Sequence, residues 1–412
     1  MPPPTGSPKL SVIIPTYNRS ALLRKGLEQL ADQTLPRDDF EIIVADDGSS
    51  DDTRAVAESF RDRLPLTYTF QEDLGFRPGA ARNAGARLAS AAVLVFLDTG
   101  TYVGKHFLER HLRLQDKAPH RAIAGYAYGY NPESSPDGVA EALRDLAPDD
   151  VVARYHDDPG FADIRHDEFA GCGFDLHRLI APWKGYWSLN CSMRAADFAA
   201  VGGFDEDFQR WGMEDVELGY RLFHHGVELQ VSREAWVIEA PQERDPGIWE
   251  DIKFNTQLFL DKHREPALEL TWVMIARYRD VFWTLERELV DLDRWTADNH
   301  SCDVAAELDA ATERLTPGGR VAILGSGAVI PDSIGPATLL DFDQILLDRA
   351  LASGRHQGVH ALGVRVPFAD QSFDSVVVTS RLAGPWKRWG TDILTEARRI
   401  GRAVHVCDSL AG

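Results

Sequence analysis

An α/β fold built on an open, largely parallel sheet is predicted by three features of the chain. Short apolar runs rich in β-branched residues recur at 10–15, 41–45 and 92–97, each the length of a buried strand. Helical stretches such as SALLRKGLEQLADQT separate them, and the runs end in polar loops, two of which begin with acids, Asp46-Asp47 and Asp98. Strands alternating with helices build sheets of this kind, and their ligands gather at the carboxyl ends of the strands.

Leu10 to Pro15 is the first strand, closed by Pro15 and followed by the loop Thr16-Tyr17-Asn18-Arg19-Ser20. Glu41 to Ala45 is the second. After it come Asp46-Asp47, a glycine turn, and Ser/Asp residues suited to capping a helix that begins near Asp51. A third strand is expected at Leu66 to Phe70, then a loop over QEDLGFRPGAARNAG. There Gly75, Gly79 and Gly85 would let backbone approach a ligand, while Arg82 and Asn83 offer donors to a diphosphate. Ala92 to Leu97 is a further strand, ending at Asp98-Thr99-Gly100.

Residues 125–182 read as irregular, polar and loop-rich, as an acceptor-specific insertion or lid would be. Trp183, Tyr186 and Trp187 follow; flat apolar faces either stack on a sugar or aromatic acceptor or fill a core. His156, Asp157, Asp158 and His166 match no metal-ligand spacing.

The most informative stretch is VGGFDEDFQRWGMEDVELGYRL, residues 201–222. Phe204 and Phe208 are spaced to turn into a core, leaving Asp205, Glu206 and Asp207 to solvent. Trp211-Gly212 then delivers Glu214-Asp215 to the first turn of a helix. Carboxylates there meet the positive end of the dipole and unpaired N–H groups, which keeps one of them ionised, as a general base requires. Helix capping is the plainer use of such a pair. His224 and His225 fall at the other end of this helix, where imidazolium suits the dipole.

This stretch resembles the acceptor-side motif of GT-A fold glycosyltransferases, especially the family 2 domains of chondroitin-polymerase type and a related galactosyltransferase segment. PTYNR and VADDGSSDDT resemble the nucleotide-binding half of family 2. The resemblance covers about Lys9 to Pro241 and implies a role for each matching position. Pro15, Thr16, Tyr17 and Arg19 would cradle the nucleoside, Asp47 would accept from the uracil N3–H, and Arg82 and Asn83 match the family's R-N-x-G segment. Asp215 would deprotonate the acceptor with Glu214 beside it, and Trp187, Asn190, Trp211 and Gly212 would lie near sugar and acceptor. Asp98 occupies the first position of the family's D-x-D metal motif. Gly100 stands where the second Asp is usual, so Mn²⁺ or Mg²⁺ would rest on Asp98, diphosphate oxygens and Glu239, which takes the place of a His ligand in many relatives.

Residues 246–315 read as a helical bridge carrying Trp272, Phe282 and Trp283 on an apolar face. From 316 to 412 a strand, the loop Gly325-Ser326-Gly327, and further strands and a helix resemble a class I S-adenosylmethionine-dependent methyltransferase. The glycine loop is truncated, so a Rossmann-like, non-catalytic unit used for packing, dimerisation or acceptor docking is expected. Residues 1–245 would then form the GT-A domain.

Composition narrows the partners. Of 412 residues 64 are acidic and 44 basic, a formal charge of −20, which disfavours nucleic acid and anionic membranes. No apolar run reaches the ~20 residues that span a bilayer, and MPPPTGSPKL does not read as a signal peptide. The four cysteines lack CxxC spacing, so free thiols and a cytoplasmic location are expected. The function expected is an inverting transferase that moves a sugar from a nucleotide-diphosphate sugar, UDP-sugar first, to a soluble acceptor. A bifunctional glycosyl- and methyltransferase and a non-catalytic sugar-nucleotide-binding protein are the alternatives.

Overall fold

The computed structural model describes residues 7–129, 136–240, 247–278 and 284–410. The chain forms two compact units, Met1–Asn255 and Thr256–Gly412.

The first unit is organised by an eight-stranded sheet. In chain order its strands are β1 (Leu10–Thr16), β2 (Phe40–Asp46), β3 (Leu66–Phe70), β4 (Val93–Leu97), β5 (Thr101–Val103), β6 (Arg121–Tyr128), β7 (Asn190–Arg194) and β8 (Glu228–Glu239). Across the sheet they run β3-β2-β1-β4-β7-β6-β8-β5. The quartet β3-β2-β1-β4 is parallel. β7 then enters antiparallel to β4, and β6 antiparallel to β7, so the sheet is mixed. Leu10, Val12, Ile14, Ile42, Val44, Val93 and Val95 share one core with Leu27 and Leu30 of the helix Ser20–Leu30. Strands covered on both faces carry this near-continuous apolar content.

Two local expectations change. The segment read as a long glycine loop is a loop only up to Arg77, and Pro78–Leu88 is a helix. Pro78 sits in its first turn, where a fixed φ and a missing N–H cost nothing, and the alanines that follow favour helix. Gly85 serves close packing there and not approach to a ligand: a Cβ on it would lie 2.6 Å from Ile13 Cγ2. The stretch 125–182 is more regular than expected, with helices Val139–Asp145, Pro148–Tyr155 and His166–Gly171. The last of them is braced by charge pairs taken out of water. Arg165 meets Asp163 at 2.6 Å, both wholly buried, and donates to the Gly185 carbonyl at 2.8 Å. Lys184 pairs with Glu168 in the same interior.

The second unit holds a parallel sheet of β9 (Val321–Leu324), β10 (Ala337–Asp341), β11 (Gln357–His360), β12 (Phe373–Val378) and β13 (Gly401–Val406), in the order β11-β10-β9-β12-β13. Its polar edge strand β11 carries no apolar run to announce it. The helix read as near thirty residues is broken, since Pro266–Val273 passes into a π-helical turn, Met274–Tyr278, and the next helix is Leu285–Asn299. Glu269 is buried, and its carboxylate accepts from the backbone N–H groups of Leu362, Gly363, Val364 and Arg365. Trp272 lies under the Arg365 guanidinium, 4.7 Å from the ring centre; Phe282 and Trp283 lie outside the described residues. Among the described residues no helix is long and apolar enough to cross a membrane. All four cysteines are free thiols.

The tightest backbone approach in the first unit is at Gly125 on β6. A Cβ there would stand 2.0 Å from Asn190 Nδ2 and 2.3 Å from the Ala235 carbonyl oxygen. Gly125→Ala is expected to lower unfolding stability by about 1–3 kcal/mol in urea titration, the usual cost of overpacking; an unchanged midpoint would contradict the packing described.

Candidate active site

β2, β1 and β4 end, and the antiparallel β7 begins, at the same edge of the sheet, and short hydrogen bonds bind their loops into one row. Asp47 N–H donates to the Thr16 carbonyl at 2.9 Å. Thr99 Oγ1 donates to the Pro15 carbonyl at 2.8 Å. Asp98 N–H donates to the Leu189 carbonyl at 3.0 Å, and the neighbouring Ser188 N–H donates to Asp215 Oδ2 at 3.1 Å. Asp47, Asp98 and Asp215 therefore gather on one edge. With strands spaced ~4.8 Å, the ends of β2 and β4 are about 10 Å apart.

At the β2 end Asp47 is buried, and burial raises its carboxyl against the lowering effect of its donors. Oδ1 accepts from Gln71 Nε2 at 2.5 Å and Oδ2 from Arg77 N–H at 2.9 Å. The Arg77 guanidinium lies 3.6 Å away. Gln71 and Arg77 were not singled out from the sequence, although the register Asp46↔Phe70 sets residue 71 beside residue 47. Tyr17 is exposed and donates its hydroxyl to Asp73 at 2.9 Å. Arg19 is exposed at the start of the helix Ser20–Leu30, and Thr16 Oγ1 is buried without a partner.

Arg82 is the centre of the other end. It is buried on the helix Pro78–Leu88, with its guanidinium 5.2 Å from the Phe204 ring centre. One terminal nitrogen donates to Asp98 Oδ1 at 2.7 Å and the other to Glu214 Oε1 at 3.1 Å. The sequence offers Arg82 to a diphosphate; in the structure its fork joins the acid after β4 to the acid that opens the helix Glu214–His224. These two carboxylates raise its affinity for the proton against the opposing effect of burial.

Glu214 and Asp215 occupy the first turn of that helix, as the sequence predicts. Met213 before them is left-handed at φ 73°, after Gly212 at φ 85°. A left-handed Met is a strained backbone state that the surroundings must enforce. Asp215 Oδ1 accepts from Val216 N–H at 2.8 Å. The helix terminus does not dominate the titration. Burial raises both carboxyls, Asp215 adds to the rise at Glu214, and Arg82 opposes it at both. Glu214 Oε2 is buried with no partner, as expected of a group that holds a proton more readily than an exposed glutamate.

Several candidates serve the frame. The Asn83 amide brackets Phe204, accepting from its N–H at 2.9 Å and donating to its carbonyl at 2.8 Å. Asn190 is wholly buried and donates to the Ala235 carbonyl at 2.8 Å. Its Oδ1 lies 3.0 Å from the imidazole Nε2 of His111, whose pKa burial pushes down to about 4. Trp183 and Tyr186 are core residues. Trp187 is partly buried, with Arg165 4.3 Å from its ring centre. Trp211 and Gly212 lie in the turn just before the acid pair, and Gly212 donates its conformation to that turn. Glu239 ends β8 opposite Thr101, and the adjacent Ala240 N–H donates to the Gly100 carbonyl at 2.9 Å, so it borders the Asp98-Thr99-Gly100 turn. Among the described residues no group of three metal-ligating side chains occurs.

An α/β sheet with acids gathered at its carboxyl edge has the layout of a ligand site at the strand ends, and comparison with known proteins specifies the family. Residues 11–176 match the model for glycosyl transferase family 2, and residues 170–241 match that for the N-terminal domain of galactosyltransferase. Validoxylamine A glucosyltransferase of Streptomyces hygroscopicus subsp. limoneus is 42% identical over 418 residues, covering 98% of this chain and 91% of the relative. Its counterpart in subsp. jinggangensis (strain 5008) is 42% identical over 96% of each chain. Chondroitin synthase of Escherichia coli is 29% identical over 53% of this chain and 32% of its own. Among solved structures, S. aureus TarS 1-349 in complex with UDP-GlcNAc aligns with a TM-score of 0.46 at 19% identity, covering 67% of this chain and 74% of that one. The chain belongs to the family 2 glycosyltransferases.

Removing Arg82 leaves two buried acids without their counter-charge. Arg82→Met is expected to cost about 3–5 kcal/mol in urea unfolding at neutral pH, and the double variant Arg82→Met/Glu214→Gln to recover part of it. Equal stability of wild type and Arg82→Met would contradict the bridging role.

Proposed function

We propose that this glycosyltransferase moves a glucosyl group, with inversion, from a uridine-diphosphate sugar to a hydroxyl of validoxylamine A or a close structural analogue, in the cytoplasm. The sugar and the acceptor are inferred from the names of the relatives matched over nearly the whole chain. The observation that carries the mechanism is Asp215: a carboxylate fixed by the Ser188 N–H, on the same edge as Asp98 and Asp47.

Each Asp47 oxygen keeps a lone pair beyond its present donor. That leaves room for an imide N–H, which uracil has and cytosine lacks. Asp98, and Glu239 beside the same turn, would hold Mg²⁺ or Mn²⁺ together with diphosphate oxygens, because such hard ions complete their shells with phosphate and water. A cation bound there neutralises charge on the departing nucleoside diphosphate. Asp215 accepts the acceptor's proton as the new C–O bond forms at the sugar carbon and the bond to the diphosphate oxygen breaks on the opposite face. A single displacement of this kind inverts the carbon and needs no covalent enzyme intermediate. Arg82 holds Asp98 and Glu214 in register while this happens, and Asn83 and Asn190 support the loops around them.

The second unit supports a non-catalytic reading. Its would-be cofactor acid, Asp341 at the end of β10, is wholly buried and taken up by Arg381 at 2.7 and 3.0 Å and by the Gly327 N–H at 2.8 Å. An internal guanidinium thus occupies the carboxylate that a nucleoside ribose would need.

Asp215→Asn is expected to lower kcat about 10²–10⁴-fold, while UDP-glucose binding measured by calorimetry with Mn²⁺ stays within twofold. Normal turnover in this variant would refute the assignment. Because the base acts when ionised, wild-type activity should fall as pH drops through the pKa of the buried acid pair. Burial places that acid limb above the ordinary carboxylate range; a limb at or below 3.8, the ordinary aspartate value, would contradict it. Wild-type turnover should also be lost in EDTA and return with Mn²⁺, and full activity in chelator would remove the cation from this account.

A further inference from the structure

The turn 210–213 that presents the acid pair carries two consecutive left-handed residues, Gly212 and Met213. Its restraint comes from 43 to 45 residues further along the chain, in the helix Ile248–His263. Asn255 there is wholly buried, and its Nδ2 donates to the Gly212 carbonyl at 2.6 Å and the Arg210 carbonyl at 2.9 Å, with the Trp211 carbonyl at 3.5 Å. The same helical segment closes on the turn from other sides. The Arg210 guanidinium lies 3.8 Å from the Phe254 ring centre and 3.8 Å from Asp251 Oδ1. Ile252 Cγ1 lies 3.4 Å from where a Cβ on Gly212 would be.

We propose that Asn255 is a positioning residue for transfer, and that its carboxamide fixes the direction in which the turn delivers Asp215. The chemistry selects this side chain. Three carbonyls converge on one point, and an amide nitrogen offers two N–H groups to them while carrying no charge. A carboxylate would set oxygen against oxygen, and an alkyl group would leave buried carbonyls unpaired. The amide's other end supports a role beyond packing, because Asn255 Oδ1 is buried with no hydrogen-bond partner among the described residues. Such a group is kept against a desolvation cost and calls for an explanation in function. The residue lies beyond residue 241, where the second family match ends. This inference rests on Asp215 as the base, although one arm of its test does not.

The test compares wild type with Asn255→Ala, Asn255→Asp and, as a control from the exposed side of the same helix, Lys253→Ala. Hydrogen exchange of the full chain reads the position of the turn without any substrate. Amides of residues 211–217 should exchange at least tenfold faster in Asn255→Ala, with those of β1, β2 and β4 unchanged. In turnover with UDP-glucose and validoxylamine A, Asn255→Ala should lose at least tenfold in kcat and Asn255→Asp more. The KM for donor should stay within twofold, and Lys253→Ala should match wild type. Unchanged exchange, a kcat within twofold of wild type, or a loss shared equally with donor affinity and with a collapse in Tm would each overturn the proposal. Should wild type itself fail to turn over these substrates, the exchange result still decides positioning, and the failure falls on the substrate assignment alone.

Discussion

Arg82 sets the terms for the first unit. A guanidinium out of water demands acceptors on both arms, and among the described residues two carboxylates pair with it, one after β4 and one at the head of the helix Glu214–His224. Breaking such a pair strands a buried charge, which is why the two elements, 116 residues apart between Asp98 and Glu214, stay together. The Phe204 ring against the same guanidinium and the Asn83 bracket on the Phe204 backbone extend the brace to the segment that leads toward the acid pair.

Burial raises the affinity of Glu214 and Asp215 for protons, while Arg82 and the backbone N–H donors lower it. The balance leaves both carboxyls holding a proton more readily than exposed ones do, with Asp215 fixed in direction by Ser188, as the proposed base would use. A stronger base takes an acceptor proton more readily, provided the pH keeps it ionised.

Much of this was legible in the sequence where local chemistry decides. The apolar runs located β1, β2 and β4, because buried parallel strands need unbroken β-branched stretches. Glu214 at the head of its helix followed from Gly212 and the apolar periodicity behind it. The glycine-rich segment after β3 misled, since Gly79 and Gly85 speak equally for a loop and for a helix pressed on a sheet, and Pro78 decided for the helix. The partners Gln71, Arg77, Ser188 and Asn255 were not legible. Each acts through a backbone group or across a register that only the folded chain sets. The same holds for Asn190, whose position beside the site was foreseen but whose amide is committed to Ala235 and His111.

The central claim is that Asp47, Asp98 and Asp215 serve a single bound sugar nucleotide. The most direct measurement is a crystal structure with an intact, non-transferable UDP-glucose analogue and Mn²⁺. The account predicts the uracil N3–H on Asp47, the diphosphate at Asp98, and the sugar carbon placed so that an acceptor oxygen can sit ~3 Å from both it and Asp215. A uracil bound away from Asp47, or a sugar carbon more than ~10 Å from Asp215 with no closing movement to bridge the gap, would contradict it.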